Sequence, residues 1–509
     1  LIGMAVGVDY SLFYVRRERE ERARGRGHVD AVEIAAETSG HAVVVSGMAV
    51  IIAMSGLFLA GDAIFSSLAV GSILVVAVAV LGSLTVLPAL LAKLGRWVDR
   101  PRVPLLWRLT ARRTGPDGTP QPGRFWPAVL RPALRHPVAT FVVSVGLLLA
   151  LAFPALGMQL KFPGTEDLPR TTAAMQAYDR LTAAYPSNGT HHDVVVRAPA
   201  DEAPAVRAAL TRLAETAAAD RLFAPLEEDG PQIEVSPDNR VSVLSVATPY
   251  ASRSDEAEQS LHRLRDDLVP AALGDLSDVS YAVGGGVAES DDYAAHVWDK
   301  LPIVVGFVLA LTFLVMAWTF RSVVVALTSI LLNLLSAAAA YGLLVLVFQN
   351  TWAEGLLGFT SMGAVVTWLP LFLFVVLFGL SMDYHVFVVS RIREARLRGV
   401  PNREAVAEGI TGSAGVVSSA AIVMVAVFSI FATLSTIDMK QLGVGLAAAI
   451  LLDATIIRAV VLPSLMTLLG DANWWAPRFL RGRGRHAAGA RPAVEEDTDR
   501  PASELVGAA

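Results

Sequence analysis

The sequence predicts an α-helical integral membrane protein that carries one external α+β domain of ferredoxin-like order. Three observations support this. Hydrophobic residues make up 54% of the 509 and charged residues only 17%, with a mean hydropathy of +0.51, a balance outside the soluble range. Apolar runs near the length of a bilayer span recur along the chain. The exception is a polar stretch, 159–298, with alternating strand and helix patterns.

The runs fall at 42–60, 68–92, 138–156, 301–319, 323–348, 368–390, 414–434 and 441–467, and a shorter one occupies 1–15. In lipid every backbone polar group must be satisfied within the segment, so each run reads as a helix. Leu1 to Asp9 is too short to cross a bilayer, which needs roughly 20 residues. The chain therefore reads as one that begins inside a transmembrane helix, with an N-terminal part expected upstream.

Arginine sets the orientation. Arg16, Arg17, Arg19, Arg22, Arg24 and Arg26 fill a loop at 16–30; 93–137 is equally rich, and 391–403 carries Arg391, Arg393, Arg396, Arg398 and Arg403. The stretch 349–367 has no Lys or Arg and 435–441 has only Lys440. The positive-inside rule makes the first three cytoplasmic and the other two external. The expected localisation is the cytoplasmic membrane, multi-pass, with the C-terminus cytoplasmic.

The units that follow are 1–95, the end of a first transmembrane repeat; 96–137, a cytoplasmic linker whose part 96–113 lies along the interface and whose Gly/Pro-rich part 114–123 is flexible; 138–158, a helix; 159–298, the external domain; 299–470, a second repeat of five spans; and 471–509, a cytoplasmic tail, disordered from 482. In 159–298, strands at 193–198, 231–236, 241–248 and 279–284 with helices at 202–219 and 254–272 give the order β-α-β-β-α-β. Gly284-Gly285-Gly286 reads as a turn into the next helix.

Several classes are set aside. The net charge of −5 gives no reason for a nucleic-acid partner. Cysteine is absent, which removes disulfides and thiolate metal sites. No phosphate-cradling G-x-x-x-x-G-K-[ST] motif occurs, so no nucleotide site of that kind powers the chain. No metal or organic cofactor is expected. His191-His192 lacks ligand spacing.

Two stretches repeat. "GVDYSLF" (7–13) and "SMDYHVF" (381–387) each set an Asp-Tyr pair in an apolar run, 374 positions apart. At the same offset Leu68-Ala69-Val70-Gly71 aligns with Leu442-Gly443-Val444-Gly445, and one residue later Leu87-Pro88-Ala89-Leu90 with Leu462-Pro463-Ser464-Leu465. Both copies run in the same direction, as parallel repeats about an axis along the membrane normal. Asp383 lies eight residues before Arg391 and Asp9 seven before Arg16, roughly 10–12 Å inside the membrane at 1.5 Å per residue. Carboxylates at that depth cost about 2.5–3.5 kcal/mol and face the protein interior or a water path. Burial raises a carboxyl pKa, and a neighbouring tyrosine hydroxyl supports the ionised form. Asp9, Tyr10, Asp383 and Tyr384 thus read as a proton relay; interhelical hydrogen bonds alone are the plainer alternative.

Asp453 and Arg458 in "ILLDATIIR" are auxiliary intramembrane polar residues, either a structural ion pair or a device that tunes the carboxylates. Five positions apart, they are not expected to share a helix face. The first copy offers Val78 or Ala79 opposite Asp453 and Ser83 opposite Arg458. Asn333 reads as interhelical glue. His385, two positions from Asp383, points to a different face.

The runs "LPLFLFVVLFGLSMDYHVFVVSRIRE" (369–394) and "LLDATIIRAVVLPSLMTLLGDANWW" (451–475) resemble the C-terminal half of the MMPL (mycobacterial membrane protein large) transporters of the resistance-nodulation-division (RND) superfamily, over essentially 1–480. The resemblance implies an RND-type bundle of parallel repeats, two six-helix halves each with a ferredoxin-like porter domain. It also implies proton-driven export of lipids or other hydrophobic molecules, with the Asp-Tyr pairs of the fourth and tenth helices as relay, here Asp9-Tyr10 and Asp383-Tyr384. The first three helices and first porter domain have no counterpart, so this stretch alone is not expected to transport. The expected partners are a lipid or hydrophobic small molecule and membrane lipids; accessory and self-association partners are left open. No enzyme activity is expected. A non-transporting lipid sensor or assembly scaffold, and an intramembrane aspartyl protease whose two carboxylates share a proton, stand as alternatives.

Overall fold

The structure, a computed structural model, describes residues 2–95, 125–164, 168, 172–184, 190–226 and 230–477. The interfacial stretch 96–113, the Gly/Pro-rich stretch 114–123 and the tail from 482 lie outside the described residues.

The chain opens with α1 (Ile2–Ala23), α2 (His28–Ser55, tightening into a 3-10 turn, Gly56–Ala60) and α3 (Ala63–Leu94). The Asp62 side chain caps α3, accepting from the Phe65 amide at 2.9 Å. The basic segment after α1 is not a loop from residue 16, as hydropathy suggests. α1 continues to Ala23, held by the i,i+4 pairs Arg16–Glu20 (2.9 Å) and Arg17–Glu21 (3.1 Å). Hydropathy marks where the lipid ends, whereas charge pairing lets the helix run on into water.

Next come α4 (Phe125–Arg135), α5 (Pro137–Ala152) and a 3-10 turn to Gly157. The polar region contains β1 (Leu160–Lys161), α6 (Ala173–Ala184), β2 (Thr190–Arg197), α7 (Ala203–Ala218), β3 (Ile233–Val235), β4 (Val241–Thr248), α8 (Asp255–His262), a π turn (Arg263–Leu268), α9 (Val269–Leu273) and β5 (Ser280–Gly284). Four strands form an antiparallel sheet in the order β3-β4-β2-β5, the split-βαβ arrangement. Val194 stands opposite both Leu244 and Val283. Alternate strand residues such as Val194, Val196, Leu244 and Val246 are buried against Leu210 and Leu213 of α7 and Leu261 of α8. Gly285 takes φ 105° at the end of β5, where a Cβ would lie 2.7 Å from the His191 carbonyl oxygen. Only glycine fits that turn.

The remaining elements are α10 (Gly286–Phe320), α11 (Val323–Phe348), α12 (Glu354–Leu357), β6 (Val365–Val366), α13 (Leu369–Leu397), α14 (Asn402–Phe431), α15 (Ile437–Leu452), a π-helical segment (Asp453–Val461) and α16 (Leu462–Leu469). β6 pairs with β1 in parallel, Leu160 opposite Val365, which ties the entry of the α+β domain to the start of α13. Gln441, fully buried, holds that strand: its Oε1 accepts from the Val366 amide at 2.8 Å and its Nε2 donates to the Ala364 carbonyl at 3.3 Å. Strands of two residues leave no periodic trace, so sequence reading finds only a loop there.

Among the described residues eight helical segments are long and apolar enough to cross a membrane; α1, charged in its second half, is the ninth helix expected. Their outer faces expose large apolar side chains, including Val143, Leu331 and Ile422, the surface a lipid solvent requires. α13 differs, because Leu371, Leu373, Phe374, Val375 and Val376 are buried in succession around its whole circumference. A helix apolar all round is a core helix, and this one carries the second Asp-Tyr pair through the middle of the bundle.

Candidate functional site

Both Asp-Tyr pairs stand on helices, the first on α1 and the second on α13. The structure describes Asp9 and Asp383 by their backbone; their side chains lie outside the described residues. The tyrosines are described in full and belong to one buried hydrophobic cluster, Tyr10 at 1% and Tyr384 at 5% exposure. Each touches the next helix of its own repeat. Ser46 Oγ of α2 donates to Tyr10 Oη at 3.5 Å, and Tyr384 Oη donates to Met424 Sδ of α14 at 3.2 Å. At the repeat offset Ser46 corresponds to Ala420, one helical turn from Met424.

Around Tyr384 the second repeat builds a charged network. The Arg458 guanidinium carbon lies 4.8 Å from the centre of the Tyr384 ring, a cation–π contact. Arg458 Nη2 donates to the Ser381 carbonyl oxygen at 2.9 Å, to Ser381 Oγ at 3.1 Å and to Asp453 Oδ2. Ser381 Oγ is 2.8 Å from both Asn333 Oδ1 and Asp453 Oδ2; its single proton serves one of them at a time. Asp453 and Arg458 are 7% and 3% exposed. The cluster borders a cavity of about 20 Å³, roughly the space one water needs. Among the described residues Asn333 Nδ2, Asp453 Oδ1 and Arg458 Nε have no hydrogen-bond partner.

The ion pair corrects the spacing argument. Five residues do not align on an α-helix, but Asp453–Val461 is π-helical, and i→i+5 bonding brings the fifth residue back onto the same face. A stronger signal was available in the sequence. Two opposite charges inside one apolar run cannot each stand alone in lipid, and that energetic demand outweighs the regular period. Ser381, which joins Asp453 to Asn333, has no signature of its own; its counterpart in the first repeat is Gly7. Asn333 is hydrogen-bonded across helices to Ser381, as expected of it.

His385 is 1% exposed, and neither ring nitrogen has a hydrogen-bond partner among the described residues. In the α+β domain His192 is buried, with Nε2 2.7 Å from Ser260 Oγ. Burial first, then the neighbouring His191, pushes its pKa down to about 4. His192 is thus a neutral core residue bonded to α8.

A buried ion pair under a tyrosine at the centre of a helical bundle, joined to a ferredoxin-like domain, defines a multi-pass membrane protein of the RND type. The chain belongs to the MMPL family, whose model matches residues 1–140 and 166–494. It is 36% identical, over 94% of its length, to the mycolic acid-containing lipids exporter MmpL11 of Mycolicibacterium smegmatis, covering 49% of that protein. It is 36% identical, over 99% of its length, to the heme uptake protein MmpL11 of Mycobacterium tuberculosis H37Rv, covering 50%. It is 30% identical, over 94%, to the trehalose monomycolate exporter MmpL3 of the same strain, covering 52%. Among solved structures it resembles SecDF, a translocon-associated membrane protein of Thermus thermophilus, with a TM-score of 0.51 and 18% identity over 92% of this chain and 53% of that one, a likeness of fold. The chain spans about half the length of the curated relatives it matches.

Proposed function

We propose that this chain is part of a proton-motive-force-driven exporter of lipids or other hydrophobic molecules across the cytoplasmic membrane. Protons pass through Asp9, Tyr10, Asp383 and Tyr384. The observation that carries this reading is the buried Asp453–Arg458 pair, whose guanidinium stacks on Tyr384. Charges inside a membrane protein are costly and accompany ion pathways, and a cation against the tyrosine ring is placed to respond when the adjacent Asp383 gains or loses a proton. Family membership supports transport, and two relatives whose names specify lipid export support that cargo class. The basic ends of α1 and α13 face the cytoplasm by the positive-inside rule, with the α+β domain external and the C-terminus cytoplasmic. A membrane potential contributes roughly 2.3 kcal/mol per charge per 100 mV to each proton that crosses.

The test is export of a fluorescent long-chain acyl lipid from vesicles under an imposed pH gradient, with the protein at its encoded length. Asp383→Asn and Tyr384→Phe are expected to abolish gradient-dependent export while leaving the folded protein intact. Undiminished export in the Asn variant would sink the relay. A sensor or scaffold would tolerate Asp383→Asn, and an aspartyl protease would cut a peptide with no gradient at all.

A further inference from the structure

Away from the Tyr384 network, α1, α2, α10 and α13 enclose a groove of about 440 Å³. Its walls are mostly apolar, formed by Val43, Val45, Ala49, Val315, Met382 and Val386, with serine and threonine hydroxyls between them and Tyr10 of the first Asp-Tyr pair also on the lining. Two cations line its basic end, Arg17 on α1 and Arg391 on α13. They occupy the same position in the two repeats, each seven residues after the tyrosine of its Asp-Tyr pair. The parallel repeats thus deliver one guanidinium each to a single opening.

Among the described residues neither charge is fully compensated. Arg17 Nη2 lies 3.1 Å from Glu21 Oε1, but that carboxylate also meets Arg24 at 2.5 Å and Arg26 at 3.2 Å. One carboxylate therefore faces three guanidinium groups, with Glu20 a more distant partner of Arg17 at 3.7 Å. Arg17 Nε is buried and has no hydrogen-bond partner among the described residues. Arg391 is 3.2 Å from Glu394, in a pair whose partners are 42% and 61% exposed, and such a surface pair neutralises little. The guanidinium carbon of Arg391 also lies 5.7 Å from the centre of the Phe387 ring. The helix ends around the groove carry six arginines against three glutamates over 16–26, and five arginines against one glutamate over 391–403.

We propose that this groove binds an anionic phospholipid from the leaflet that meets the basic ends. The phosphate lies between Arg17 and Arg391 and one acyl chain lies along the apolar walls. An apolar channel that ends in two guanidinium groups matches an amphiphile with a chain and an anion. Guanidinium is the side chain that best engages phosphate oxygens in pairs, and basic pockets between transmembrane helices on the cytoplasmic side hold phospholipid head groups. A neutral hydrophobe would satisfy the walls and leave the arginines with only their glutamate partners. A zwitterionic head group would bring its own cation against them.

The protein at its encoded length, in phosphatidylcholine nanodiscs doped with phosphatidylglycerol bearing a photoactivatable acyl chain, provides the test. Crosslinks are expected on peptides of α2, α10 and α13 that line the groove, displaced by unlabelled phosphatidylglycerol and not by added phosphatidylcholine. The Arg17→Gln/Arg391→Gln variant is expected to lose about tenfold in labelling. Val315→Trp, which fills the groove and keeps both arginines, should lose it too and carries the test if the double variant fails to fold. Three results would each overturn the proposal: equal displacement by phosphatidylcholine, undiminished labelling in the folded double variant, or no label on the walls because another segment of the protein fills the groove. The readout is binding, so it stands apart from the outcome of the export assay.

Discussion

Arg458 reaches from the π-helical segment to stack on Tyr384 of α13, with its guanidinium carbon 4.8 Å from the ring centre, while its Nη2 holds Asp453. Removing one partner of a buried pair leaves an uncompensated charge, a loss of about 3–5 kcal/mol. Arg458→Met and Asp453→Leu are each expected to lower the thermal unfolding midpoint of the purified protein strongly. The double variant Asp453→Leu/Arg458→Met should recover most of that loss and still fail to export. Additive losses in the double variant would show that the pair does not act as a unit.

Ser381 connects the pair to α11 through Asn333. Ser381→Ala leaves the Asn333 side chain without this partner and deprives Arg458 of a side-chain acceptor, at a cost of about 1–3 kcal/mol. Ser381→Thr keeps the hydroxyl and should retain more stability than alanine. Unfolding midpoints of the two variants measured side by side give the comparison.

His192 makes the α+β domain acid-sensitive. Its pKa is about 4 when folded, against 6.5 for the free side chain, so the unfolded domain binds more protons between those values. Stability is present in full above about pH 6.5 and falls as pH drops toward 4, by roughly 3 kcal/mol at 1.36 kcal/mol per pH unit. Protection factors of the β2 and α8 amides in the intact protein, taken relative to the intrinsic exchange rate at each pH, should fall over that window. In His192→Leu this fall should be largely absent; an unchanged pH response there would mean that another group controls it.

Gly285 is expected to resist substitution. With φ 105° and the His191 carbonyl 2.7 Å from any Cβ, Gly285→Ala should cost about 1–3 kcal/mol and open the domain to protease. Gly286→Ala, where a Cβ meets nothing within 4 Å, is the control and should be tolerated.

Much of this architecture is legible in the residues alone. Long apolar runs specify transmembrane helices because lipid offers the backbone no other hydrogen-bond partners. A short run rich in valine, as in "VSVLSVAT" (241–248), reads as a strand, and the structure buries Ser242, Leu244, Val246 and Thr248 on one face of it. The order of strands and helices in 159–298 leads directly to the sheet order β3-β4-β2-β5. Intramembrane Asp and Tyr stand out in sequence because their cost in lipid is so large. Ser381 and Met424 carry no such cost, and sequence reading passes over both. The helical extensions at Arg16–Ala23 and the β1–β6 pairing also escape it, the first because charged i,i+4 pairs leave no apolar mark and the second because two-residue strands have no period.

Sequence alone determined that this chain crosses a membrane, that it contains a parallel repeat and that each copy sets an Asp-Tyr pair within a helix. Those features depend on local composition and on spacing along one chain. Only the tertiary structure decided that Asp453 meets Arg458, that Arg458 stacks on Tyr384, and that Arg17 and Arg391 share one groove. The first of these depends on a π-helical segment that changes the helical period. The others depend on packing between helices 74 and 374 residues apart, where neighbours are chosen by shape and by the need to pair buried charge.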